Sequence, residues 1–189
     1  MRSRNFPSLS SIAVLGLAIL MSGCASGART GAMVAEVTPD TLITDSSPVR
    51  SAIQIGNVGG GSKTNPLWKS EVSNENFRAA LEQSLALHTM FATGSGKYTL
   101  NAEMVSLDQP FAGFDITVTA QVHYTLVSAA DGSTKLDETV TTPFTATMGD
   151  SLLGVERLRL ANEGAIKTNI NGIIAKIVAA TKPATGLTS

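Results

Sequence analysis

The sequence predicts an α+β fold: a two-layer sandwich in which a four-stranded mixed sheet carries two helices on one face, in the order β-α-β-β-β-α. Three patterns predict it. Phe114, Ile116, Val118, Ala120, Val122, Tyr124 and Leu126 recur with an unbroken period of two, sending Asp115, Thr117, Thr119, Gln121, His123 and Thr125 to the opposite face. Such alternation marks a long, half-buried strand. Two other segments, 73–92 and 152–180, carry apolar residues at helical spacing. The first of these helices lies between two strand-like runs, and a β-α-β opening implies a right-handed crossover that leaves its two strands parallel.

The elements follow in order. Residues 25–48 are rich in Ala, Ser, Gly, Thr and Pro with scattered Val, Leu and Ile, and read as a tether with weak docking near Val34 to Ile43. A flexible segment of that length spans on the order of 25–30 Å. A first strand is expected at 49–58, then a loop at Gly59-Gly60-Gly61 and a turn at Asn65-Pro66. Ser73 is a good N-cap for the first helix, whose stripe is Phe77, Ala80, Leu81, Leu85 and Phe91; Gly94 and Gly96 follow it. Tyr98, Leu100, Ala102 and Met104 alternate as a second strand, and the phase slips at Val105 and Leu107 as a bulge would make it slip. Asp131-Gly132 is a hairpin signal between the long strand and a return strand carrying Leu136, Val140, Phe144 and Ala146. Pro143 places that strand at an edge or a bulge. The second helix carries Leu158, Ala161, Ala165, Ile170, Ile173, Ile174 and Ile177, and Lys182-Pro183 begins a polar tail.

At the N-terminus, Arg2 and Arg4 precede an apolar run at 12–21, followed by Ser22 and Gly23 and then the chain's single cysteine, Cys24. A membrane-spanning helix needs about 20 apolar residues, so this run is too short. The segment LAILMSGC resembles the signal peptide and lipobox of bacterial lipoproteins, with Met21 where that family more often has Leu. The resemblance implies cleavage between Gly23 and Cys24, lipid on the Cys24 thiol and an acyl chain such as palmitate on the new amino terminus. Ala25 in place of Asp implies sorting to the outer membrane of a Gram-negative envelope, facing the periplasm. The chain then divides into a signal peptide (1–23), a lipidated tether (24–48), one α+β domain (49–181) and a polar tail (182–189).

Charge and cysteine content limit the functions available. All 15 acidic residues lie beyond Gly23, whereas two of the 14 basic ones precede it. The remaining chain is mildly acidic, which argues against nucleic acid and against a polybasic membrane patch. With Cys24 acylated there is no thiol for an intrachain disulfide, and stability rests on packing. Gly56 and Gly61 have the spacing of a phosphate loop, but Ser62 puts Lys63 out of register, so no nucleotide site is expected. His88 on a helix flank and His123 on the polar sheet face read as surface residues, without the convergent ligands of a metal site. No serine stands in a Gly-x-Ser-x-Gly elbow. No cofactor is expected.

Two features point to a partner. Glu156, Arg157, Arg159, Asn162 and Glu163 crowd two helical turns, with Glu156/Arg159 and Arg159/Glu163 spaced for ion pairs. They read either as a solvated, salt-bridged face or as a docking patch. Trp68, the sole tryptophan, lies beside Pro66 and Leu67 and reads as a surface anchor or as half-buried loop packing. The stretches NPLWKSEVSNENFRAALEQSL and RLRLANEGAIKTNI resemble a group of small proteobacterial envelope lipoproteins. In element order the chain is also similar to the lipoprotein of the lipopolysaccharide-assembly complex and to auxiliary lipoproteins of lipid-transporting ABC systems, a likeness of architecture that transfers no residues. The anchor, the tether and the absence of a catalytic motif point to a non-catalytic accessory lipoprotein that binds an envelope protein or a lipid-like ligand. The alternatives are an envelope hydrolase or transferase with a site invisible in sequence, and a structural lipoprotein that braces the envelope.

Overall fold

A computed structural model describes residues 26–62, 70–110 and 113–181; Gly23, Cys24, Trp68 and residues 182–189 lie outside the described residues. After a 3₁₀ turn at Thr30–Met33 come β1 (Ile53–Gly59), α1 (Asn74–Leu87), β2 (Tyr98–Asp108), β3 (Ile116–Ser128), β4 (Thr134–Ala146) and α2 (Gly154–Thr181). The sheet order is β1-β2-β3-β4, with β1 and β2 parallel and the other two pairs antiparallel. Helix α1 packs on β1, α2 covers β3 and β4, and the two helices touch. This is the expected mixed α+β sandwich.

Strand β3 shows why. Its inward residues Ile116, Val118, Ala120, Val122, Tyr124 and Leu126 are all buried, whereas Thr117 is exposed and Thr119, Gln121, His123 and Thr125 are half-buried on the other face. They share one apolar core with Ala161, Ala165, Ile166, Ile170, Ile173, Ile174 and Ile177 of α2, which packs on β3, and with Phe77, Ala80, Leu81 and Leu85 of α1, which packs on β1. Each fully buried Leu, Ile or Phe contributes about 1.5–3 kcal/mol of transfer free energy. The outer face is held by polar cross-strand pairs, among them Asn101 Nδ2 donating to Thr125 Oγ1 (3.1 Å) and Thr117 with Thr145 (2.8 Å). The slip in β2 is a bulge between Met104 and Ser106, with Val105 turned outward. Pro143 sits on β4, an edge strand, where a missing N–H costs no ladder bond to a further neighbour. Gly132 closes the hairpin at φ +68°, a left-handed position that glycine adopts without strain.

One buried polar network fixes how α2 lies on the sheet. Asn169 is fully buried; its Nδ2 donates to Val140 O (2.8 Å), Thr142 Oγ1 (3.1 Å) and Ala120 O (3.3 Å), and its Oδ1 accepts from the Tyr124 hydroxyl (2.8 Å). A satisfied network of this kind specifies register, because a shifted helix would leave its members unpaired in a dry core. Together with Arg157 near Gly113 and Lys176 near Glu138, it shows α2 running alongside β3 in the same direction.

The structure corrects three expectations. The predicted tether, 24–48, is docked more firmly than expected: Ala28, Met33, Ala35 and Thr41 are buried, Ile43 packs against the core, and the amide of Ala35 donates to Ser84 Oγ (2.9 Å), so the docking near Val34 to Ile43 is present and extends back to Ala28. The first strand begins at Ile53, because residues 49–52 turn, with Ser51 at φ 47°. Helix α1 starts at the expected Ser73 cap, whose side chain accepts from the Asn76 amide, but ends at Leu87 rather than 92. Thr89 there is left-handed at φ 57°, with Thr89 N donating to Ala86 O (3.0 Å) and Met90 N to Leu85 O (2.8 Å). This is a Schellman ending with a β-branched residue in the position that glycine usually takes.

Replacing Thr89 with Gly relieves the left-handed strain and should stabilise the fold by about 1 kcal/mol in chemical denaturation. Burial pushes the Tyr124 phenol above its ordinary value. A group whose pKa is raised on folding contributes stability that is present below its unfolded value, about 10, and is lost as pH rises beyond it. Alkaline titration should therefore show Tyr124 phenolate absorbance appearing only together with loss of native circular dichroism. Tyr124→Phe, which leaves Asn169 Oδ1 without its donor, should cost about 1–3 kcal/mol.

Candidate functional site

The charged residues at the start of α2 come together as their spacing suggests, but not on an open face. Arg159 pairs with Glu156 and lies 3.8 Å from Glu163 Oε1, so both expected ion pairs are present. Glu163, however, is only 3% exposed, and its main partner comes from the far end of the chain. Arg29 donates to Glu163 Oε1 from its backbone N (2.8 Å) and from Nε (3.0 Å), and to Oε2 from its terminal nitrogen (3.0 Å). Neither a solvated face nor a free docking patch describes this residue. The carboxylate clasps the segment that was expected to be a loose tether, and Glu163 in turn raises the pKa of Arg29 through hydrogen bonding and charge.

Arg157 is also buried and points elsewhere, donating to Ser151 O (2.7 Å) and Gly113 O (3.3 Å). It binds the turn before α2 to the segment leading into β3. Two arginines near a helix N-terminus oppose the helix dipole. The carbonyls around Arg157 and the carboxylates around Arg159 offset that cost. Asn162 completes the arrangement: its Nδ2 donates to Ser70 O (2.9 Å), and its Oδ1 accepts from Gln109 Nε2 (2.9 Å). The Ser70 hydroxyl bonds Ser26 O (2.8 Å), and Arg159 bonds Ser26 Oγ (2.9 Å).

Beside this cluster an open groove of about 280 Å³ runs between the 3₁₀ turn, the end of β4 and α2, lined by Arg29, Phe144, Asp150, Leu160, Glu163 and Lys167 among others. Phe144 lies over Gly164, where any Cβ would collide with its ring at 2.3–2.4 Å, so the glycine lets the edge strand close onto the helix. The groove's charges are engaged. Glu163 holds Arg29, Lys167 pairs with Glu36, and Asp150 accepts from Thr147 N (2.7 Å) and Oγ1 (2.9 Å), which lowers its pKa.

The two histidines differ from one another. His88 is not a surface residue: it is buried at the end of α1, its Nδ1 2.6 Å from Ser84 O and its Nε2 3.1 Å from Thr41 Oγ1. Ser84 Oγ donates to Ala80 O (2.6 Å) rather than facing the imidazole. His123 stays on the outer sheet face, 3.5 Å from Asp137 and 3.2 Å from Thr139 Oγ1, with Glu103 as its cross-strand partner. Among the described residues no three His, Cys, Asp or Glu side chains converge as metal ligands would. Trp68 and Cys24 lie outside the described residues. The sequence did not single out Arg29 or Ser26, whose partners on α2 stand more than 130 positions away.

No known protein family and no curated protein matches the sequence. The fold is similar to that of a Xanthomonas campestris protein of the family DUF330, with a TM-score of 0.53 and 10% identity over 74% of this chain and 91% of that one. A candidate lipoprotein from Caulobacter crescentus aligns at 0.46, with 14% identity over 69% of this chain and 93% of that one. The hypothetical protein CT253 from Chlamydia trachomatis aligns at 0.45, with 9% identity over 68% and 93%. At these identities the likeness is one of fold.

The clasp predicts an asymmetry between its two partners. Glu163→Ala leaves Arg29, 57% exposed and open to water, and Arg159, still paired with Glu156, and should cost about 1 kcal/mol. Arg29→Ala leaves the Glu163 carboxylate, 3% exposed, with only the residue-29 amide and the more distant Arg159, and should cost about 3 kcal/mol. Denaturant titration of the two single variants and the double variant measures both costs and their coupling.

Proposed function

We propose that this chain is a lipid-anchored accessory protein of the bacterial cell envelope, held at the outer membrane on the periplasmic side through Cys24, and that it binds an envelope protein or a lipid-like ligand without catalysing a reaction. The observation that carries the reading is the N-terminal pattern: Arg2 and Arg4, a short apolar run, then Ser22-Gly23-Cys24. The folded part supports it through the state of its polar groups. The groove beside α2 has its acids and bases committed to one another, the Ser84 hydroxyl is committed to a backbone carbonyl, and His88 is held within the core. Such a surface offers shape and apolar contact rather than a nucleophile with a base to activate it.

Expression of the full chain in a Gram-negative host tests the reading. The mature protein should begin at Cys24, carry the mass of diacylglycerol plus one acyl chain, and sediment with outer-membrane markers; Cys24→Ala should abolish the mass increment and the sedimentation. A chain of unmodified mass in the soluble fraction would contradict the proposal.

A further inference from the structure

Residues 113–115 and 147–155 form one end of the domain. Ile116 pairs with Ala146, so Phe114 and Met148 lie just beyond the last pair of the β3/β4 ladder. The Met148 amide donates to Asp115 Oδ1 (3.3 Å), and Arg157 ties Ser151 O to Gly113 O. On this braced end Phe114 is 82% exposed, Leu152 80% and Leu153 63%, with Met148 and Val155 also outward. Single exposed apolar residues are ordinary on protein surfaces, but a cluster of large ones marks a contact surface.

The N-terminal segment meets the fold at the same end. Ser26 is bonded to Arg159, about one helical turn beyond Val155, and to Ser70. Cys24 is two residues earlier, and two residues of extended chain reach only about 7 Å. An acyl group on Cys24 therefore draws the bilayer surface to within a short distance of Ser26 and of the apolar end beside it. A 25-residue tether would have allowed any orientation. The packed segment allows few.

We infer that this end, with Phe114, Met148, Leu152 and Leu153, seats in the surface of the bilayer that holds Cys24, so that β3 and α2 stand away from the membrane. The inference rests on the lipoprotein reading above. The opposite end fits an aqueous location: the hairpin around Asp131, Gly132 and Ser133 is polar and exposed, about 40 Å away along β3. Charge does not drive the contact, because the ionisable groups near the apolar end are Asp115, Asp150, Glu156 and the engaged Arg157 and Arg159. Seating should therefore be insensitive to the fraction of anionic lipid.

The test uses the full chain, matured and acylated in a Gram-negative host and reconstituted into vesicles of phosphatidylethanolamine with or without phosphatidylglycerol. Acylated Cys24 does not react with thiol labels, so a nitroxide can be placed through Phe114→Cys, Leu153→Cys or Ala130→Cys, all at exposed positions. At 114 and 153, collision with oxygen should exceed collision with a water-soluble nickel complex several-fold, the reverse of Ala130→Cys, in both lipid mixtures. Equal nickel access at all three sites, with the acyl mass present, overturns the seating and leaves the anchor standing. Sites 114 and 153 shielded from both reagents also overturn it, in favour of a protein contact. Absence of the acyl mass overturns the lipoprotein reading itself, and the seating with it.

Discussion

The buried carboxylate of Glu163 is the constraint on which the arrangement of this domain depends. A carboxylate almost removed from water is tolerable only if its oxygens are satisfied, and here one arginine does so through its guanidinium and its backbone amide while a second adds charge from 3.8 Å. One arginine, Arg159, comes from the same helix. The other, Arg29, has to be brought from the start of the folded chain, and with it come Ala28, Met33 and Ala35, which fill the space beside α1 and α2. The ion pair chooses where the segment docks, and the apolar burial supplies most of the free energy that keeps it there. Together they make the 26–52 stretch part of the core layer rather than a spacer.

Two further polar devices give the sandwich a defined register. Asn169 and Tyr124 fasten the middle of α2 to β3 and β4, and Arg157 fastens its beginning to the segment that leads into β3. Between them the apolar residues interdigitate without direction of their own, since hydrophobic burial is insensitive to small shifts. The result is a helix and a strand of nearly equal length, about 42 Å each, lying side by side with one apolar end and one polar end. Exit of the N-terminal segment at the apolar end follows from the position of Glu163 in the early turns of that helix.

Local periodicity made the sheet and both helices legible. The alternation from Ile116 to Leu126, the Asp131-Gly132 turn, the bulge near Val105 and the Ser73 cap all depend on neighbours within a few residues, and each is where the sequence places it. The packed N-terminal segment was only partly legible, because Ala28, Met33 and Ala35 follow no helical or strand period and their partners lie in other elements. The α2 charges were half legible: spacing gave the Glu156/Arg159 and Arg159/Glu163 pairs, while Arg29 is separated from Glu163 by 134 positions. His88 shows the same limit, since its burial depends on Thr41, 47 positions away. Composition alone makes an irregular but ordered segment look like a linker.

Amide hydrogen exchange on the full acylated chain in vesicles tests the central claim most directly. The amides of Ala28, Arg29 and Ala35 donate to Glu71 O, Glu163 Oε1 and Ser84 Oγ. If Glu163 docks the segment, these three should exchange orders of magnitude more slowly than a free chain, and Glu163→Ala should speed their exchange about tenfold while amides in the centre of β3 keep their protection. Exchange of all three at the free-chain rate in the unmodified protein would contradict the account, leaving a tether in place of the clasp.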